Sequence, residues 1–369
     1  MLIESLRLKD FRNVEEAFFE PHHRFNVFCG ANGHGKTNTL EAIFLLSAVK
    51  SFRPQVTRDL IRFDTDIATL EAKVDRGGHE RVVRIDVTER GKKVFLNNTP
   101  VRNLSDFFGT INVVVFGPED VTLLKGSPAA RRRFLDRAIF NAQATYAYIS
   151  QQYDDIVKQR NALLKLGTFD PILMETYDEQ FVQAGTEIVV RRLAFLEKFR
   201  PVLTSVFSQI FDASFSTELK YVANWSPTDL QECNADTISD ILETSLKATA
   251  YEERERKHTR VGPHRDDICA FLNGREIKQF GSQGQHRAYV LAMKIAEITY
   301  LEEKFRFAPI LLLDDVSSEL DRERNRFLFS FLRERMEGQV FITTTHRDHI
   351  LLDDDISVYD VTSGAISER

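Results

Sequence analysis

The stretch that most constrains this chain is GANGHGKT, Gly30 to Thr37. It follows the apolar run FNVFC and opens a segment in which Leu40, Ile43, Phe44 and Ala48 recur at helical spacing. The pattern G-x-x-x-x-G-K-[ST] between a strand and a helix is a loop built to hold phosphate. Its glycines let backbone N–H groups turn inward around phosphate oxygens. The helix N-terminus behind it adds a favourable dipole. Gly30, Ala31, Asn32, Gly33, His34, Gly35, Lys36 and Thr37 are therefore the expected cradle of a nucleotide. Lys36 is expected to reach the β- and γ-phosphates, and Thr37 to ligate Mg2+.

Such a cradle needs a second carboxylate partner for the metal. PILLLDD, Pro309 to Asp315, supplies one. Its apolar run predicts a buried parallel strand next to the first, with Asp314 at its C-terminal end. Ligands of open α/β sheets bind at that end. Asp314 is the expected Mg2+ carboxylate, and Asp315 the expected general base for an attacking water. VFITTTH, Val340 to His346, reads as one more buried strand, and His346 at its end is placed to sense a γ-phosphate.

Lys36 and Asp314 lie 278 positions apart. A βα unit takes only about 30 residues, so much of what separates them reads as an insertion. Residues 1–118 alternate or run apolar, with turn signals at Gly77-Gly78 and Asn97-Asn98. After Gly117-Pro118 the texture turns helical. Helices are expected from about 129 to 166, 171 to 200, 201 to 210 and 237 to 255. A hairpin is expected around Asn273-Gly274. The fold class is α/β: a mixed sheet with helices, residues 1–118 and 258–369, interrupted by a mainly helical lobe, 119–257.

With 369 residues the chain exceeds one ordinary core. No apolar run reaches transmembrane length, and charges come too early in MLIESLRLKDFRN for a secretory signal. Cys29, Cys233 and Cys269 are scattered and odd in number, which fits a reducing cytoplasm. No Cys/His cluster has zinc spacing. The net charge of −6 means that any DNA contact comes from local patches.

Four motifs now stand in order: GANGHGKT (30–37), GSQGQ (281–285), ILLLDD (310–315) followed by SSELD (317–321), and TTTH (343–346). Together they resemble the ATP-binding-cassette ATPase superfamily, in its DNA-maintenance branch of SMC heads and relatives. LKDFRN, KSFRP (50–54), GPEDVTLLKGSPAARRRFLD (117–136) and VGPHRDD (261–267) extend the resemblance, over nearly the whole chain, to the RecF family. The resemblance implies a cytoplasmic ATPase using ATP and Mg2+, with an ATP-dependent homodimer. It implies binding to double-stranded DNA and to gapped or junction DNA. It also implies work with RecR and RecO that helps RecA load, and no membrane. Gly281–Gln285 corresponds to the signature, so Ser282, Gln283, Gly284 and Gln285 are expected to grip the γ-phosphate of a second subunit. SSELD corresponds to the D-loop and His346 to the switch histidine. Arg12 and Asn13 resemble a nucleotide-side position. Asp315 stands where the superfamily usually has Glu, which implies slow turnover. No long coiled-coil arm is present.

Arg131, Arg132 and Arg133 at the start of the first long helix, with Lys50 and Arg53 after the cradle helix, are the expected DNA contacts. Lys and Arg on phosphates give salt-dependent, sequence-independent binding. Two other readings share the motifs: the ATPase subunit of a membrane transporter, and a non-hydrolysing ATP-gated DNA-binding module.

Overall fold

A computed structural model of the chain describes residues 1–53, 56–167, 170–211 and 214–369. Pro54, the last residue of the KSFRP motif, lies outside them. The chain divides into two compact units: Met1–Val121 with Met293–Arg369, and Thr122–Ala292.

Met1–Val121 carries β1 (Leu2–Phe11), β2 (Val14–Phe19), β3 (Phe25–Cys29), α1 (Lys36–Ala48), β4 (Ile67–Asp75), β5 (Glu80–Thr88), β6 (Gly91–Leu96), β7 (Thr99–Pro100), β8 (Val113–Phe116) and α2 (Pro118–Val121). Thr122–Ala292 carries α3 (Pro128–Ala142), α4 (Tyr146–Leu166), α5 (Pro171–Ile210), β9 (Thr217–Val222), α6 (Ala235–Arg256), β10 (Asp267–Leu272), β11 (Arg275–Glu276) and α7 (Ile277–Phe280). The unit boundary falls inside α8 (Gln283–Phe305). Then follow β12 (Ile310–Asp314), α9 (Val316–Glu319), α10 (Arg322–Glu334), β13 (Val340–Thr344), β14 (Ile356–Thr362) and β15 (Ala365–Glu368).

The first unit holds two sheets, where the sequence reading expected one mixed sheet. Order β2-β1-β4-β5-β6-β7 is antiparallel, and its alternating burial along β4 and β5 marks one covered face. Order β15-β14-β3-β13-β12-β8 is parallel apart from β15. Its strands β3, β8, β12 and β13 are buried at every residue, as parallel strands covered on both faces must be. This sheet is woven from both ends of the chain. It also corrects one expectation: β12 does not neighbour β3, because β13 pairs with both and lies between them. The C-terminal tail, in which no element was expected, supplies β14 and β15, and β14 pairs with β3 on its other side.

The second unit differs from its sequence reading in two places. Residues 258–292 group with the helical lobe, since β10 pairs along its length with β9. The helices expected at 171–200 and 201–210 are one, with Pro201 inside it. Proline forfeits one backbone bond. Buried Phe199, Leu203, Val206, Phe207 and Ile210 on either side of Pro201 carry the helix through.

VGPHRDD runs into a buried polar network. Arg192 of α5 donates to both oxygens of Asp136, each at 2.9 Å, and to the Pro263 carbonyl at 2.8 Å. Asp266 accepts from the Tyr221 hydroxyl and from Trp225 Nε1 (2.6 Å). Burial pushes the Asp266 pKa up to about 6. A carboxyl whose pKa rises on folding adds stability below its unfolded value and loses it as pH rises through the folded one. The stability of the wild type relative to Asp266→Asn should therefore fall by roughly 3 kcal/mol between pH 4 and pH 7. Urea unfolding followed by circular dichroism measures this. A difference independent of pH would return Asp266 to an ordinary carboxyl.

Candidate active site

The loop Gly30–Gly35 joins β3 to α1. Gly35 has φ +106°, a conformation L side chains rarely adopt. Gly30 is needed for another reason: a Cβ there would lie 2.3 Å from the Val361 carbonyl oxygen of β14. The loop is also braced from outside. Asn13 Nδ2 and the Gly364 N–H both donate to the His34 carbonyl, at 3.1 and 2.9 Å. Asn13 Oδ1 accepts from Asn38 Nδ2 at 2.8 Å. Arg12 forks onto fully buried Glu41 of α1 at 2.8 and 3.0 Å. The Arg12 and Asn13 side chains thus engage the protein, one fixing the cradle helix and the other the cradle itself.

Lys36 is buried, with Nζ donating to the carbonyls of Gly30 (2.8 Å) and Ala31 (3.0 Å). Burial lowers its pKa, while Asp315 and Asp314 pull the other way. Thr37 Oγ1 of α1 donates to Asp314 Oδ1 at 2.7 Å, although β13 lies between β12 and the β3 strand that leads into α1. Thr343 of β13 donates to the same oxygen at 2.8 Å. Asp315 follows in the left-handed region, φ 50°, as the cap of α9. Its N–H is held by the Thr343 carbonyl (3.2 Å) and hydroxyl (3.0 Å). Its Oδ1 is buried with no hydrogen-bond partner among the described residues, and burial raises its pKa. Asn32, Gly33, Gly35, Lys36, Thr37, Asn38, Asp315 and Thr343 line one pocket. His346 sits two residues beyond β13, exposed, its ring 5.3 Å from that of His349, and does not join this lining.

A phosphate loop, a strand-end carboxylate bound to its threonine, and a second carboxylate with a spare oxygen form one constellation. The chain that carries it is similar to known proteins. The RecF/RecN/SMC N terminal domain family matches residues 2–366. DNA replication and repair protein RecF of Geotalea daltonii is 42% identical over 354 residues, 96% of each chain. The chain belongs to the RecF family. RecF of Myxococcus xanthus is 36% identical over 372 residues, covering 100% of this chain and 98% of its own. The solved structure of the recombination mediator protein RecF-ATPrS in the RecFOR pathway superposes with a TM-score of 0.90 at 28% identity, covering 99% and 97%. An Smc head shares the fold at 16% identity and a TM-score of 0.53. RecF proteins are ATPases of the SMC-like class, with roles in DNA replication and repair.

Gly281–Gln285, the segment expected to act as the signature, leads into α8. Ser282 Oγ accepts from the Gln285 N–H (3.2 Å), and Gln285 Oε1 accepts from the Ser282 N–H (2.8 Å). This reciprocal capping box uses Gln285 inside its own helix. The Ser282 hydroxyl proton is not spent in it. Ser282 and Gln283 are exposed, and Gly284 is half-buried.

Of the expected DNA contacts, Arg131 is corrected. It is 3% exposed and forks onto Asp267 at 2.6 and 2.7 Å, with further bonds to the carbonyls of Leu124 and Gly126. A guanidinium so buried and paired holds α3 to β10 and is not presented to a phosphate backbone. Arg132 is half-buried and donates to the Asp266 carbonyl at 2.5 Å. Arg53 lies 3.7 Å from Glu41 and donates to Asn38 at 3.2 Å. Lys50 and Arg133 are exposed. The residues that sequence reasoning missed are Thr343, Asn38 and Glu41. Thr343 left a signal as the first residue of TTTH, and Glu41 as a charge within the apolar run TLEAIFLL.

Proposed function

We propose that this chain is an ATP-dependent DNA clamp of recombinational repair and replication maintenance, acting in the cytoplasm. The observation that carries the reading is the bonded set of half-buried Thr37 with buried Asp314 and Thr343, beside Asp315's unpartnered oxygen. Threonine hydroxyl and aspartate are hard oxygen donors, which suits Mg2+. Thr37 and Asp314 would hold the ion, which would offset charge on the β- and γ-phosphates. Lys36, now bonded to loop carbonyls, would turn to the same phosphates. Asp315 would accept the proton of the attacking water. His346 would read the γ-phosphate. Arg12 and Asn13 would act on the nucleotide side through the loop they hold.

The second half of the site comes from a second copy. Ser282, with the N–H groups of Gln283 and Gly284 and the α8 dipole, would grip the partner's γ-phosphate. Hydrogen bonds to charged groups contribute about 1.5–3 kcal/mol each, and a two-fold interface makes the set twice. ADP lacks the gripped oxygen, so hydrolysis would open the clamp. Bound substrates would be double-stranded DNA and gapped or junction DNA, held by Lys50, Arg133 and Arg53, with Arg132 a lesser contact. RecR, with RecO, would be the protein partners, and RecA the recombinase loaded as a result.

No helix among the described residues is long and apolar enough to cross a membrane. Membership of the RecF family leaves the transporter reading without support. The test is the ATPase rate across protein concentrations, with and without duplex DNA. A rate that rises with both supports the clamp. A rate that stays at background under all conditions would favour a non-hydrolysing DNA-binding module.

A further inference from the structure

We propose that His22, His23 and Asp355 form a binding site for a transition-metal dication, of which Zn2+ is the representative. The topology brings them together from opposite ends of the sequence. β3 and β14 pair in parallel with Ile356 beside Phe25, so the residues just before each strand meet at the end of β3 away from the cradle. One ligand atom from each of the three side chains lies within 4.8 Å of the other two. The two imidazole centroids are 4.1 Å apart. Zn2+ holds such ligands at about 2.0–2.2 Å. His23 and Asp355 are exposed, and rotation of exposed side chains is fast, so the remaining gap closes without a change of backbone.

That backbone is fixed. The His22 N–H donates to Asn26 Oδ1 at 2.7 Å, and the His22 carbonyl accepts from Asn26 Nδ2 and Gln339 Nε2, both at 2.9 Å. Asn26 and Gln339 are fully buried. The Asp355 carbonyl accepts from the Phe25 N–H at 3.1 Å. Arg24 holds one Asp355 oxygen at 3.3 Å, and the other has no hydrogen-bond partner among the described residues. The Arg24 charge is offset by the run Asp353-Asp354-Asp355. Burial and His23 lower the His22 pKa, which favours the neutral imidazole that ligates metals. A neutral imidazole has one lone pair. His22 Nδ1 now accepts the Arg24 N–H at 3.2 Å, and the ion would replace that one bond. Two imidazoles and a carboxylate, with water in the fourth position, are a known Zn2+ donor set. Imidazole suits Zn2+, Cu2+ and Ni2+, whereas Mg2+ and Ca2+ take oxygen donors. A bound ion would tie the start of β14 to the start of β3. Further along, Val361 of β14 packs on Gly30 of the cradle.

The test titrates chelator-treated full-length protein with Zn2+ by calorimetry, and with Co2+ by its visible absorption. Excess Mg2+ is present throughout and competes for the oxygen donors of Thr37 and Asp314. His23→Asn and Asp355→Asn are measured alongside the wild type. Position 23 is exposed. Asparagine at 355 tolerates the left-handed backbone, φ 55°, and keeps the carbonyl that Phe25 uses. Circular dichroism checks that both variants fold. The wild type should take up one Zn2+ per chain at this site and unfold at a higher temperature with the ion than without it. Each variant should bind that ion about tenfold more weakly or worse, since losing even an outer partner of a metal ligand costs about 10- to 100-fold. Each should also lose the rise in unfolding temperature. A wild type that takes up no Zn2+ in excess Mg2+ overturns the inference. Two folded variants that bind Zn2+ as the wild type does also overturn it, since the ion would then sit elsewhere in the chain.

Discussion

Asp315→Asn is expected to slow ATP hydrolysis by about 10²–10⁴-fold while the ATP-bound dimer accumulates. Asparagine keeps the shape of the side chain and tolerates the left-handed backbone, which Asp315 adopts at φ 50°. The N–H bonds to Thr343 that hold this backbone do not depend on the carboxylate. What is lost is a buried oxygen able to take a proton. Its raised pKa brings the carboxyl closer to the operating pH, where a general base works best. Because hydrolysis is the step that opens the clamp, the variant should trap the closed form. Single-turnover phosphate release and sedimentation measure the two effects. A variant that turns over at the wild-type rate would show that Asp315 is not the base.

Ser282→Arg is expected to abolish ATP-dependent dimerisation while leaving single-chain ATP binding largely intact. Position 282 is exposed, so the longer side chain is accommodated within its own subunit. The capping box with Gln285 is lost, at about 1 kcal/mol. That cost is too small to unfold the chain. The arginine would occupy the space in which the partner's γ-phosphate must meet the hydroxyl and the N–H groups behind it. Sedimentation with a slowly hydrolysed analogue reads the result. Normal dimerisation would remove the signature from the interface.

What the sequence made legible follows the range of each interaction. The cradle could be read because its glycines, Lys36 and Thr37 are contiguous and their chemistry is local. Asp314 could be read because a buried parallel strand is a continuous apolar run ending in a carboxylate. That β13, itself legible as a strand, lies between them could not be read, since the order β3-β13-β12 is set by crossovers that periodicity does not record. Arg131 misled for the same reason: its partner Asp267 lies 136 positions away, so a buried fork looked like an exposed basic cluster. Pro201 suggested a helix end because the backbone cost is local, whereas the packing that overrides it is tertiary. The brace on the cradle from Val361 and Gly364 was hidden because it comes from the tail, more than 320 positions away, where no strand was expected. Glu41 stood out as a lone charge, but its partner Arg12 could be found only once α1 and β1 were brought together.

The central claim is that each ATP site is shared by two chains. Mixing Lys36→Ala with Ser282→Arg, each inactive alone, tests it most directly. A mixed dimer pairs the intact cradle of the Ser282→Arg chain with the intact signature of the Lys36→Ala chain. The account predicts that ATPase activity returns on mixing and rises with the concentration of both. Two variants that remain inactive together, while each is folded and the wild type is active at the same concentration, would place the whole site within one chain and contradict it.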